Sequence, residues 1–276
     1  MANSLRKTAA VILTMLMLVS IIPFQAFAAI KPGWHKEGKC WDGCYEYRYY
    51  ITSTTYATGW KKIGGVWYYF NKSDGLMVRD RSDTGYEPGV VNDNGNFYYF
   101  AKNGKMMSSK WVETGYGWTY LTSSGAAVVE KGWRKISKKW YYFCNNASKY
   151  GPSTILMYNH LLKYHGDTYL FDNSGKMYTG GWFNHKRGSL YQYDDATDRN
   201  YSAYSFTSSY SGPGTWRYFK SSGIAVTGWK KISGKWYYFD KYSCIMYSNR
   251  SLDENGYRYY FDSNGKCTNP NGQKIK

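Results

Sequence analysis

The sequence predicts an all-β fold: a solenoid of about ten stacked β-hairpin repeats. Three observations predict it. First, GWKKISGKWYYF (residues 228–239) returns as GWKKIGGVWYYF (59–70) and GWRKISKKWYYF (132–143), with a looser copy, WVETGYGWTYL, at 111–121. Second, in all four copies two tryptophans stand seven residues apart around a turn. Third, aromatics make up 20% of the 276 residues, led by 32 Tyr, which is not how an aliphatic enzyme core is built. A unit this small cannot bury a core alone, so repetition implies stacking, each unit touching its neighbours.

One unit fixes its own geometry. Ser233-Gly234 suits a two-residue hairpin turn. With the turn there, Ile232 faces Lys235, Lys231 faces Trp236, Lys230 faces Tyr237 and Trp229 faces Tyr238. Strand side chains alternate. Trp229, Trp236 and Tyr238 therefore share one face with Lys231, and Tyr237, Phe239 and Ile232 share the other. The first face presents three aromatic planes; the second packs on neighbouring hairpins. Gly64-Gly65 does the same for Trp60, Trp67 and Tyr69, and Ser137-Lys138 for Trp133, Trp140 and Tyr142. A slip of one residue would invert the faces.

Taken in order, residues 1–28 have the form of a secretory leader: basic Arg6 and Lys7, an apolar run over 8–23, and an Ala26-Phe27-Ala28 cleavage site. Residues 29–276 are expected to form one repeat array. An irregular first unit over 34–50 carries Cys40, Trp41 and Cys44. The unit at 59–70 follows, then 94–107, the Trp111 unit with Trp118 and Tyr120, and 132–143. Next comes 165–177, with an apolar approach at 155–162. Trp182 opens a degenerate unit reaching Tyr193, and a separate unit at 215–226 precedes 228–239. Residues 257–267 close the array with a polar, cap-like unit lacking Gly-Trp. Longer loops are expected at 79–92, 145–153 and 194–214, the last either a loop or a break between sub-arrays.

These words resemble the cell-wall/choline-binding repeats of Gram-positive surface proteins, autolysins and phage lysins, a family related to glucan-binding regions and clostridial toxin C-termini. The polar linker of that pattern recurs as NKSDGLM (71–77), AKNGKMM (101–107), DNSGKM (172–177) and KYSCIM (241–246), the last without its Gly. The resemblance implies hairpins stacked as a solenoid, with choline held in aromatic cages between them. The cage set is then Trp60, Trp67, Tyr69, Trp111, Trp118, Tyr120, Trp133, Trp140, Tyr142, Trp182, Trp229, Trp236 and Tyr238, closed by Met77, Met107, Met177 and Met246. Such planes suit either a quaternary ammonium, by cation–π attraction, or the apolar face of a sugar ring.

Charge discriminates among these sites. Lys62, Lys135 and Lys231 face the second tryptophan in three units, and Glu113 does so in the fourth. A lysine on the cage face disfavours a cation and suits an anionic neighbour, unless it snorkels outward. The site of Trp111, Trp118 and Glu113 is therefore the expected best for choline. The net charge of +17, which loses two with the leader, favours an anionic polymer such as teichoic acid. Nothing in the aromatic spacing points to nucleic acid.

Of five cysteines, Cys40–Cys44 and Cys244–Cys267 are possible pairs, leaving Cys144. Histidine, serine and acidic residues form no recognised catalytic signature, and no metal site or cofactor is expected. Asp194, Asp195 and Asp198 read as a solvated acidic loop. The expected protein is secreted, non-catalytic and attached to the cell wall through teichoic acid, choline or wall glycan, without integral membrane contact after leader cleavage. A glucan- or host-glycan-binding adhesin or toxin-like module is the alternative.

Overall fold

A computed structural model describes residues 29–39, 45–81, 89–114, 117–144, 154–155, 160–185, 190–194, 199–204 and 215–275. The expected leader, Cys40, Trp41 and Cys44, and most of the three loops lie outside the described residues. The chain divides into two compact units, Met1–Val78 and Arg79–Lys276.

The described residues form strands only. The first unit holds β1 (Gly33–Lys39), β2 (Tyr45–Tyr50), β3 (Gly59–Ile63) and β4 (Val66–Phe70). The second opens with β5 (Gly89–Asp93), β6 (Asn96–Phe100), β7 (Lys110–Thr114), β8 (Gly117–Leu121), β9 (Gly132–Ile136) and β10 (Lys139–Cys144). It continues with β11 (Thr154–Ile155), β12 (His160–Tyr164), β13 (Asp167–Phe171), β14 (Gly181–His185), β15 (Leu190–Asp194) and β16 (Arg199–Tyr204). It closes with β17 (Thr215–Phe219), β18 (Gly228–Ile232), β19 (Lys235–Phe239), β20 (Arg250–Glu254), β21 (Tyr257–Phe261) and β22 (Gln273–Lys274).

The hairpin register is the one the sequence predicts: Trp229 pairs with Tyr238, Lys231 with Trp236 and Ile232 with Lys235, with equivalent pairing in β3–β4 and β9–β10. Both turn residues have positive φ, 47° at Ser233 and 78° at Gly234, as the twist-matched two-residue turn requires. The turn of β9–β10 does this with two non-glycines, Ser137 and Lys138.

The second-strand residue paired with the first residue of the first strand builds the core. Phe70, Phe100, Phe143, Phe171, Phe219 and Phe239 are each completely buried. Each is worth about 1.5–3 kcal/mol against exposure. The polar linker then turns back and staples two hairpins together. Met246 donates its N–H to the Trp216 carbonyl of the preceding hairpin, and Tyr247 donates to Tyr238 of its own. Met177 with Trp140, Met77 with Tyr47, Ala225 with Thr168 and Cys267 with Trp236 repeat the first bond. Neighbouring backbones thus exchange hydrogen bonds as well as apolar contact.

Successive linkers also lie against one another. A Cβ at Gly265 would overlap the Met246 sulfur, and one at Gly223 would stand 2.7 Å from the Met177 sulfur. Gly125 meets Met106 in the same way. Where Cys244 replaces the linker glycine, holding φ at 58°, the preceding linker carries Ala225 instead of Met, and both are buried in one cluster.

Three expectations are corrected. The segments at Trp182 and at 215–226 are not separate units: β14 pairs with β17, giving one repeat with Trp182 opposite Tyr218. The β15–β16 pair is inserted within that repeat and joins β12 in a sheet of order β13-β12-β15-β16. The apolar approach before His165 is the first strand, β12, of its own hairpin. Cys244 and Cys267 form no disulfide: Cys244 is buried beside the Thr168 hydroxyl, while Cys267 takes the Met place in the last linker. Burial raises both thiols.

Candidate aromatic cages

Four tryptophan pairs stand at right angles: Trp60–Trp67, Trp133–Trp140, Trp182–Trp216 and Trp229–Trp236, with centroids 6.2, 6.3, 6.1 and 6.3 Å apart. The tyrosine opposite the first Trp adds a third plane 5.1–5.4 Å from it, as Tyr69, Tyr142, Tyr218 and Tyr238. Trp111 with Tyr120 repeats this arrangement at 5.2 Å. The residues predicted to share a face therefore do so.

The two tryptophans of a pair play unequal parts. The first packs into the following hairpin. Trp133 lies 4.9 Å from Tyr169 and 5.7 Å from Phe171, and Trp229 lies 4.8 Å from Tyr259 and 5.6 Å from Phe261. Trp111 meets Tyr141 and Phe143, and Trp182 meets Tyr237 and Phe239, in the same way. The second remains open: Trp67, Trp118, Trp140 and Trp236 are 38–41% exposed. The aromatic face is thus also a packing face, because the hairpins that follow Trp111, Trp133, Trp182 and Trp229 each lay a Tyr and a Phe on them. Tyr142 is buried as well, with the Tyr164 ring of the following hairpin 5.9 Å away.

Within the second unit, the following hairpin closes the cages of Trp133 and Trp182. Tyr164 brings a ring 6.0 Å from Trp133 and perpendicular to it, making an aromatic box with Met177 packed in the same cluster. Met246 and Ile232 lie in one cluster with Trp182, Trp216 and Tyr218. Met77 clusters with Tyr47 and Tyr49 of the first hairpin, where Trp34 stands 5.3 Å from Tyr49. Met107 packs with Phe97, Val112 and Leu121, while Met106 takes the linker place of the other methionines. Beside Tyr120, a groove of about 320 Å³ is lined by Val128, Val129 and Ile136 and edged by Glu130, Arg134 and Lys135. Glu130 and Arg134 form an ion pair there.

The facing lysines stay with their tryptophans: the ammonium groups of Lys62, Lys135 and Lys231 lie 5.8, 5.7 and 5.9 Å from the Trp67, Trp140 and Trp236 ring centroids. All three are exposed, so they sit on the open rim. Glu113, opposite Trp118, is exposed on the corresponding rim. A different carboxylate touches a cage tryptophan: Glu254 Oε2 accepts a 2.6 Å hydrogen bond from Trp229 Nε1. Burial and then the Glu254 charge raise the Tyr238 phenol. The sequence reading missed Glu254, Tyr164, Trp34 and Trp216; for Trp216, its place in a TWRYF word like WYYF was the available signal.

A model described as a choline-binding repeat matches residues 57–111 and 208–251, and one described as a putative cell wall binding repeat matches 131–146 and 252–267. Glucosyltransferase-S of Streptococcus mutans is 28% identical over 83% of this chain, and Glucosyltransferase-I of Streptococcus downei is 30% identical over 58%. The matched regions span 15% and 10% of those two proteins' lengths. Among solved structures, the modular autolysin LytC of Streptococcus pneumoniae, in complex with a synthetic peptidoglycan ligand, covers 88% of this chain at 22% identity and TM-score 0.47, over 48% of its own length. Choline binding protein F of Streptococcus pneumoniae covers 90% at 23% identity and TM-score 0.30, over all of its own length. The repeated words, their hairpin register and the two family matches agree: residues 57–111, 131–146, 208–251 and 252–267 carry choline-binding and putative cell wall binding repeats.

Proposed function

We propose that residues 1–28 direct secretion and that residues 29–276 form a non-catalytic array holding the protein to a Gram-positive cell envelope. The ligands are choline-type substituents of teichoic acid or wall glycan. They enter cages made by the right-angled Trp pair of one hairpin and closed by the next hairpin, with Trp133, Trp140, Tyr164 and Met177 the most complete box. The half-exposed second tryptophan, standing perpendicular to a packed first one, carries this reading. It offers an open aromatic plane at a corner that apolar packing alone has no need to leave open. Cation–π attraction is worth about 0.5–2 kcal/mol per ring. The rim lysines and the net charge of +17 suit the phosphates of an anionic wall polymer, and that part of the binding weakens with salt.

A second reading, glucan binding, is favoured by the match to Glucosyltransferase-S over 83% of this chain. Passing the chain without residues 1–28 over choline resin and glucan resin separates the two. Retention on choline resin with elution by free choline supports the first. Retention on glucan alone supports the second, and retention on neither sinks both cage readings.

A further inference from the structure

We propose that Glu254 makes the cage of Trp229, Trp236 and Tyr238 selective for a compact alkylammonium cation. The inference rests on the reading of the cages as binding sites and adds a residue that sets their chemistry.

In five cages the wall comes from one place, the last residue of the first strand of the following hairpin. Ile63, Ile136 and Ile232 bring a branched alkyl group to that place, and each clusters with aromatics of the preceding hairpin. Tyr164 brings a ring. Glu254, which ends β20, brings a carboxylate. The cages therefore share a frame and differ in one wall.

The carboxylate is fixed where it acts. Its Oε2 accepts from the Trp229 indole N–H at 2.6 Å, and Glu254 is half-buried. An N–H donates in the ring plane, so the carboxylate lies at the indole edge and does not itself cover the π face. An anion hydrogen-bonded to an indole N–H also pushes electron density into the ring, strengthening its hold on a cation. A second observation agrees: after burial, the Glu254 charge is the next cause raising the Tyr238 phenol, so its field reaches the cage's third plane. Asp253 and Arg258 on the same hairpin hold each other through two 2.7 Å bonds. Lys231 lies at the other end, 5.9 Å from Trp236 on the exposed rim. The Trp229 end therefore attracts positive charge and the Trp236 rim repels it, so only a small cation seated deep benefits. A neutral ligand of the same shape gains nothing from Glu254.

The test uses choline and its uncharged isostere, 3,3-dimethylbutan-1-ol, followed by ¹⁹F NMR of the chain labelled with 5-fluorotryptophan. Trp229→Phe and Trp133→Phe assign the two resonances. Glu254→Gln keeps an oxygen for the indole N–H and removes only the charge. We expect it to lower the choline-to-isostere affinity ratio at Trp229 by about fourfold, in line with one partly exposed charge, and to leave the ratio at Trp133 unchanged. An unchanged ratio at Trp229, or an equal fall at Trp133, overturns the inference. A response at Trp133 with none at Trp229 overturns it alone. Silence at both rings overturns it together with the reading it rests on.

Discussion

At the scale of single residues, the paired tryptophans divide packing from exposure and, on the proposed reading, stability from recognition. Trp133 spans the joint to the next hairpin through Tyr169 and Phe171, whereas Trp140 is 41% exposed. Trp133→Ala is therefore expected to cost about 2–3 kcal/mol in urea unfolding, from lost contact and the gap left behind. Trp140→Ala is expected to stay within about 0.5 kcal/mol of the parent yet weaken choline about tenfold by calorimetric titration. Equal stability losses from the two would contradict this division. Strand alternation makes the shared face of Trp229, Trp236, Tyr238 and Lys231 legible in the sequence alone. It says nothing of Glu254, because that contact crosses 25 residues from another hairpin. In the sequence, Lys231 weighs against a cation at this cage; on the proposal above, its position on the rim and the carboxylate beside Trp229 favour one.

At the scale of elements, hairpins are legible where turn and register are local, and illegible where the partner strand is distant. β14 finds its partner β17 only beyond the inserted β15–β16, so Trp182 and Trp216 read as two units though they form one cage. The linkers carry a rule of their own, small against large. Gly265 holds φ at +76° directly over the Met246 sulfur. Gly265→Ala is expected to destabilise by about 2–3 kcal/mol, combining left-handed strain with displacement of Met246. Gly234→Ala meets nothing within 4 Å and is expected to cost about 1 kcal/mol. In a Met246→Ala background the Gly265→Ala penalty should shrink by about 1 kcal/mol, a non-additivity that thermal or urea melts of the four variants measure. Strict additivity would mean the two linkers do not press on each other. The pairing of Cys244 with Ala225 is the same compensation already present in the chain.

At the scale of the whole molecule, stability is spread along a ladder of phenylalanines and tyrosines, and this gives it an alkaline weakness. Burial raises the phenols of Tyr141, Tyr169, Tyr237 and Tyr238 above the ordinary value of 10.0. A raised folded-state value means that the neutral phenol is favoured by folding. Its contribution is complete below pH 10.0 and is lost as pH rises through the higher folded value. Unfolding free energy should therefore hold steady up to about pH 10 and fall beyond it, with phenolate absorbance appearing alongside the loss of structure. Phenolate appearing well before any unfolding would contradict the burial argument. The repeat array and its all-β character are legible in the words and composition; the fate of the cysteines is not, since spacing alone carries no pairing.

The central claim is that aromatic cages between hairpins hold the ligand. A crystal structure of the chain soaked with choline tests it most directly. The account predicts density for a trimethylammonium group bounded by Trp133, Trp140 and Tyr164, with a second between Trp229 and Tyr238 beside Glu254. Empty cages at saturating choline, in a protein that still binds purified wall polymer through its lysines, would contradict it.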